Sequence, residues 1–137
     1  MNIERIFETA DFLETLSPEE FDIWGFFTEK SVKRKCGCIA GWINHRFNEK
    51  NGSILRGMEF ARKYLGLELA ISNPLFGPWN SGLNIHPTPV QAARCLRNLA
   101  ITGKVDWPAA MLENDPAMPI LMQDSANSRQ TVKETTS

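Results

Sequence analysis

No window of this 137-residue chain approaches the roughly 18 apolar residues that a membrane-spanning helix needs. A cleavable leader is not expected either, because residues 1–16 interleave acids with hydrophobes and have neither a basic start nor an unbroken apolar run. A soluble, cytoplasmic protein is therefore expected. Net charge is only -1, which argues against a partner held by bulk charge. Cysteine is scarce and odd in number, three in all, while 42% of the residues are apolar and can build a core without staples. Free thiols in a reducing compartment follow. Neither a phosphate-cradling glycine motif of the usual form nor an internal repeat is present.

What is present is helical patterning. Ile3, Ile6, Phe7, Ala10, Leu13 and Leu16 recur at helical spacing, with Glu4, Glu8, Asp11 and Glu14 along the other side. Ser17-Pro18-Glu19-Glu20 has an N-cap, a proline at the first helical position and a capping-box glutamate, so a short helical turn starts there. Residues 21–27 are dense in aromatics and interrupted by Gly25, which predicts a buried irregular or short extended segment, followed by a basic loop over residues 31–35. From Cys38 a central buried helix is expected, with Ile39, Trp42, Ile43 and Phe47 on one broad face and Ala40 and Gly41 keeping the other thin. A turn over residues 48–52 and a cap at Ser53 introduce the next helix, which Gly66 stops with Leu67 folding back. A short helix limited by Pro74 precedes the loop Gly77-Pro78-Trp79-Asn80-Ser81-Gly82. Thr88-Pro89-Val90-Gln91 then repeats the capping logic, Gly103 closes that helix, and Asp106 caps a last one ending near Glu113. These patterns predict an all-α fold, a compact bundle of about five mostly short helices in a single domain over residues 1–113. A flexible tail is expected over 114–137.

The sequence Cys38-Ile39-Ala40-Gly41-Trp42, together with Ala61-Arg62-Lys63-Tyr64-Leu65-Gly66-Leu67, Leu75-Phe76 and the stretch from Thr88 through Trp107, resembles a group of small bacterial and phage proteins that share a Cys-Ile-Ala-Gly-Trp motif. The shortened Cys36-Gly37-Cys38 departs from their pattern. The resemblance implies a helical fold and a bacterial or phage setting, and it brings no activity with it.

Charge is unevenly spread. Residues 1–29 carry eight acids against Arg5, whereas residues 30–107 carry twelve bases against four acids. The two segments either pack together and neutralise one another or present two faces of opposite sign. The leading expectation is a non-enzymatic protein, without a cofactor, that binds another protein. Glu4, Glu8, Asp11 and Glu14 would meet a basic, nucleic-acid-binding surface of a host complex, and Trp79 would serve as an exposed anchor. The phage setting suggests inhibition of a host defence complex.

Two alternatives use other residues. A metal or thiol site would draw on Cys36, Cys38, Cys95 and His45 or His86, although only Cys36 and Cys38 are close in sequence and tetrahedral zinc usually takes paired ligands. As a nucleophile, Cys38 at a helix start beside Lys33, Arg34 and Lys35 lacks a base, since His45 lies seven residues on, about 10 Å along a helix. A buried structural thiol suits Cys38 and Cys95 better. Nucleic-acid binding would use Lys30, Lys33, Arg34, Lys35 and Arg46, without the alternating aromatic platform of single-strand binders.

Overall fold

Asn2 starts the first helix, its side-chain oxygen accepting the Arg5 amide at 3.1 Å. This helix, α1 (Ile3–Leu13), buries Ile6, Ala10 and Leu13 and turns its acids outward. The computed structural model describes residues 1–31, 34–47 and 54–112, with side chains at all of these except 28–31, 34, 54 and 55. The expected turn over 48–52, the Ser53 cap, Val32, Lys33 and the tail lie outside the described residues.

Among the described residues the chain forms six α-helices and one two-stranded hairpin. The capping box at Ser17 forms as read: Glu20 accepts the Ser17 amide at 2.8 Å and opens a 3-10 turn, Pro18–Glu20. The basic loop expected next is instead an antiparallel hairpin, β1 (Phe27–Ser31) and β2 (Arg34–Gly37), with Phe27 opposite Gly37 and Thr28 opposite Cys36. Tertiary packing decides this. The Phe27 ring stands edge-on to Trp42 and stacks on His45, and Phe21 bridges to Gly37 from the other side.

Helix α2 (Ile39–Phe47) follows at once and pairs with α3 (Ile54–Leu65). At the end of α3, Gly66 takes the left-handed conformation (φ 68°). Its amide bonds to Lys63 O and that of Leu67 to Arg62 O, the two hydrogen bonds of a Schellman cap, with Leu67 buried as expected. The amide of Asn2 donates to Leu65 O at 2.9 Å and so ties the start of α1 to this same end.

Helix α4 (Leu69–Phe76) contains Pro74 rather than stopping at it, and a second 3-10 turn, Pro78–Ser81, carries Trp79. Helix α5 (Pro89–Thr102) begins with the Thr88–Gln91 capping box, with bonds of 3.1 and 2.9 Å. It packs chiefly on α1 and buries Ala92, Ala93, Leu96 and Leu99. Asp106 caps α6 (Trp107–Leu112), whose buried Trp107 donates its indole N–H to Pro74 O at 2.9 Å and locks α6 to α4. None of the described helices is long and apolar enough to cross a membrane.

Candidate functional site

The most distinctive motif of the chain proves to be a packing device. Cys38 precedes α2, donating its amide to Phe26 O (3.1 Å), while its sulfur accepts the Gly41 amide (3.3 Å). Ile39 and Ala40 are fully buried. Gly41 faces the Phe26 carbonyl with no room for a side chain, and the Phe26 ring reaches on to Gly57 of α3. The indole of Trp42 donates to Glu20 O at 2.8 Å. Cys38, Gly41 and Trp42 thus join α2 to the segment from Glu20 to Phe26 that precedes the hairpin, and Ile39 and Ala40 belong to the core.

The thiols follow from this placement. Burial pushes the Cys38 thiol up to about 11 and that of Cys95 up to about 12, both from an ordinary 9.0. This agrees with the buried structural thiols expected for both, and it disfavours at neutral pH the thiolate that the nucleophile alternative beside Lys33, Arg34 and Lys35 would need. Desolvation of an anion outweighs the bonds that the sulfur receives. Cys36 is half-buried on β2, and His45 is stacked on Phe27 with ring centroids 4.4 Å apart. Among the described residues no three His, Cys, Asp or Glu side chains converge on a metal position, so Cys36, Cys38, Cys95 and His45 are not brought together.

The acidic face of α1 divides in two. Arg97 of α5 donates to both carboxylate oxygens of Glu14 (2.5 and 3.1 Å) and to Asp11 (2.6 Å). Asp11 and Glu14, expected to await a partner, are therefore committed to an internal clamp between the two helices. Glu4 and Glu8 make no ion pair within the described structure. Of the proposed nucleic-acid contacts, Lys33 is outside the described residues and only the backbone of Lys30 and Arg34 is described. Lys35 is half-buried on β2.

Arg46 belongs to a different assembly, an alternating column of rings and cations. Its guanidinium lies 4.0 Å from the Phe12 ring centre and 4.8 Å from that of Phe47. Phe47 stacks on Tyr64 at 4.6 Å, and Arg5 lies 4.4 Å over Tyr64 while donating to its carbonyl. Helices α1, α2 and α3 meet along this column. Beside it runs an open groove of about 480 Å³, lined by Glu8, Asp11, Phe12, Arg46, Phe47 and Tyr64 among others.

Trp79 lies elsewhere and is 41% exposed. It stacks on Trp24, itself 43% exposed, with centroids 4.8 Å apart and 27° between planes. Trp24 is held in turn by its indole N–H on Ile85 O (2.9 Å) and by His86 at 5.6 Å. Reading the sequence picks out Trp79 by its loop but misses Trp24, Phe12, Phe47 and Tyr64. No local spacing reports a pairing between residues so far apart in the chain. The one available signal for Trp24 is its seat beside Gly25, where helical burial is interrupted.

Comparison with protein-family models, curated proteins and solved structures finds no match to this chain.

Proposed function

We propose that this chain works by binding another protein, with the stacked Trp24–Trp79 pair as the centre of the contact. The observation that carries the reading is the pair itself: two indoles from distant segments, each more than two-fifths exposed, stacked on one another. Rigid, partly exposed tryptophans supply large contact area at little entropic cost and dominate the energetics of many interfaces. Four ordered contacts support the platform from below: the Ile85 carbonyl, the His86 ring, the Asp22 carboxylate on the Trp24 amide, and the turn at Gly77 against the Trp79 ring. The buried, raised thiols of Cys38 and Cys95 favour this reading over thiol chemistry.

The bacterial or phage setting implied by the Cys-Ile-Ala-Gly-Trp resemblance makes a host complex, including a defence complex, the first partner class to test. The experiment is affinity capture from the native host with the intact chain and with Trp79→Ala, partners being identified by mass. The reading expects one or more partners that the intact chain retains and Trp79→Ala loses, with the thermal midpoint of the variant nearly unchanged. Identical partner lists would remove the tryptophan pair from the contact.

A further inference from the structure

We propose that the groove between α1 and the ends of α2 and α3 is a second docking surface, one that takes a basic, partly apolar segment of a partner protein. A lysine or arginine of that segment pairs with Glu8 while its apolar neighbours lie on Phe47 and Tyr64. The inference shares with the preceding section only the premise that the chain binds proteins; the tryptophan pair belongs to other elements.

Among the described residues the groove lacks a counter-charge for one of its carboxylates. Its floor is aromatic, with Phe47 42% exposed although it is stacked on Tyr64. Its own cations are already engaged: Arg46 lies over Phe12 and Phe47, and Arg5 over the Tyr64 ring with a hydrogen bond to the Tyr64 carbonyl. Its acids differ. Asp11 is held by Arg97, whereas Glu8 has no cation within ion-pair distance in the described structure. The groove thus joins one uncommitted carboxylate to an apolar floor. The matching occupant has a positive head on an apolar stem, which is the chemistry of lysine and arginine side chains. An acidic segment would face both Glu8 and Asp11. A wholly apolar one would strip water from Glu8 and give nothing in return.

Tyr64 is the single tyrosine of the chain, so ring-labelled tyrosine gives the full-length protein one magnetic-resonance reporter inside the groove. The probes are an amphipathic helical peptide of leucine and arginine and its counterpart with glutamate in place of arginine. The leucine/arginine peptide is expected to move the Tyr64 signal saturably and the leucine/glutamate peptide to leave it in place. Glu8→Lys should weaken the first peptide about fivefold or more, the scale of an exposed ion pair reversed, without lowering the thermal midpoint. Trp79→Ala should leave the response intact. Equal responses to both peptides, no response to either, or undiminished affinity in Glu8→Lys would each overturn the proposal. So would a Tyr64 shift that follows protein concentration alone, which would identify a second copy as the occupant. If the groove fails these tests while Trp79→Ala still loses its captured partner, only the groove assignment falls.

Discussion

The carbonyl oxygen of Phe26 occupies the space that a side chain on Gly41 would need: a Cβ placed there would fall 1.6 Å from it. The same carbonyl accepts the Cys38 amide, so it cannot retreat without loss of the bond that begins α2. Replacing a helical glycine by alanine ordinarily gains about 1 kcal/mol. Here the sign should reverse. Gly41→Ala is expected to lose about 2–3 kcal/mol, the scale of forced overpacking, as read by chemical denaturation. A variant as stable as the parent would show that the loop before the hairpin moves freely.

The Arg97 clamp separates the three acids of α1 and its C-cap Glu14 into two pairs. Charge reversal at Glu4 and Glu8 should leave stability within about 0.5 kcal/mol, as surface substitutions usually do. Reversal at Asp11 and Glu14 should lower it by about 1 kcal/mol, a modest loss because the Asp11 side chain is mostly in water. A double-mutant cycle of Arg97→Met with Glu14→Gln, repeated at high salt, measures the coupling. A coupling of zero would reduce the clamp to a chance approach of surface charges.

Alkali should unfold the protein partly through its thiols. In the unfolded chain they ionise near the ordinary 9.0, in the folded chain only near 11 for Cys38 and 12 for Cys95. A raised folded value stabilises fully below the unfolded one, and that contribution is lost as pH climbs through the folded value. Stability should therefore decline from about pH 9 upward. The decline should be shallower in Cys95→Ala than in the parent once both are normalised to neutral pH. Labelling of Cys38 and Cys95 by a thiol reagent should be slow at neutral pH, whereas fast labelling of either would contradict their burial.

Thr88→Ala removes the acceptor for the Gln91 amide at the start of α5 and should lose about 1 kcal/mol. Thr88→Ser, which keeps the hydroxyl, should lose much less. Thermal melts of the two variants side by side provide the check.

The contrast between Thr88 and Arg97 shows which parts of this fold can be read from its sequence. Caps and stops are local: Ser17, Thr88, Gly66, Gly103 and Asp106 act on residues within one turn, so their effect is written in adjacent letters. The helical architecture follows from them and from apolar spacing. The hairpin has no such local record. Its strands hold Glu29, Lys35 and Cys36 without apolar alternation, and they form because Phe27 finds Trp42 and His45 and Gly37 finds Phe21. The surfaces are less legible still. Arg97 meets Glu14 across 83 residues, and its only trace in the sequence is a charge beside the buried Leu96. The thiols of the Cys38 motif draw attention as chemistry, but they are buried, and its glycine stands there for the close approach that its small neighbour Ala40 already suggests.

The stack of Trp24 on Trp79 has an optical consequence. Two indoles at 4.8 Å and 27° share their electronic excitation, and the described ring contacts include no other pair of tryptophans. The circular dichroism of the chain should therefore carry an exciton couplet that belongs to this pair alone. Anything that tilts or parts the rings changes the couplet, so the protein reports on occupancy of its own exposed platform without a label.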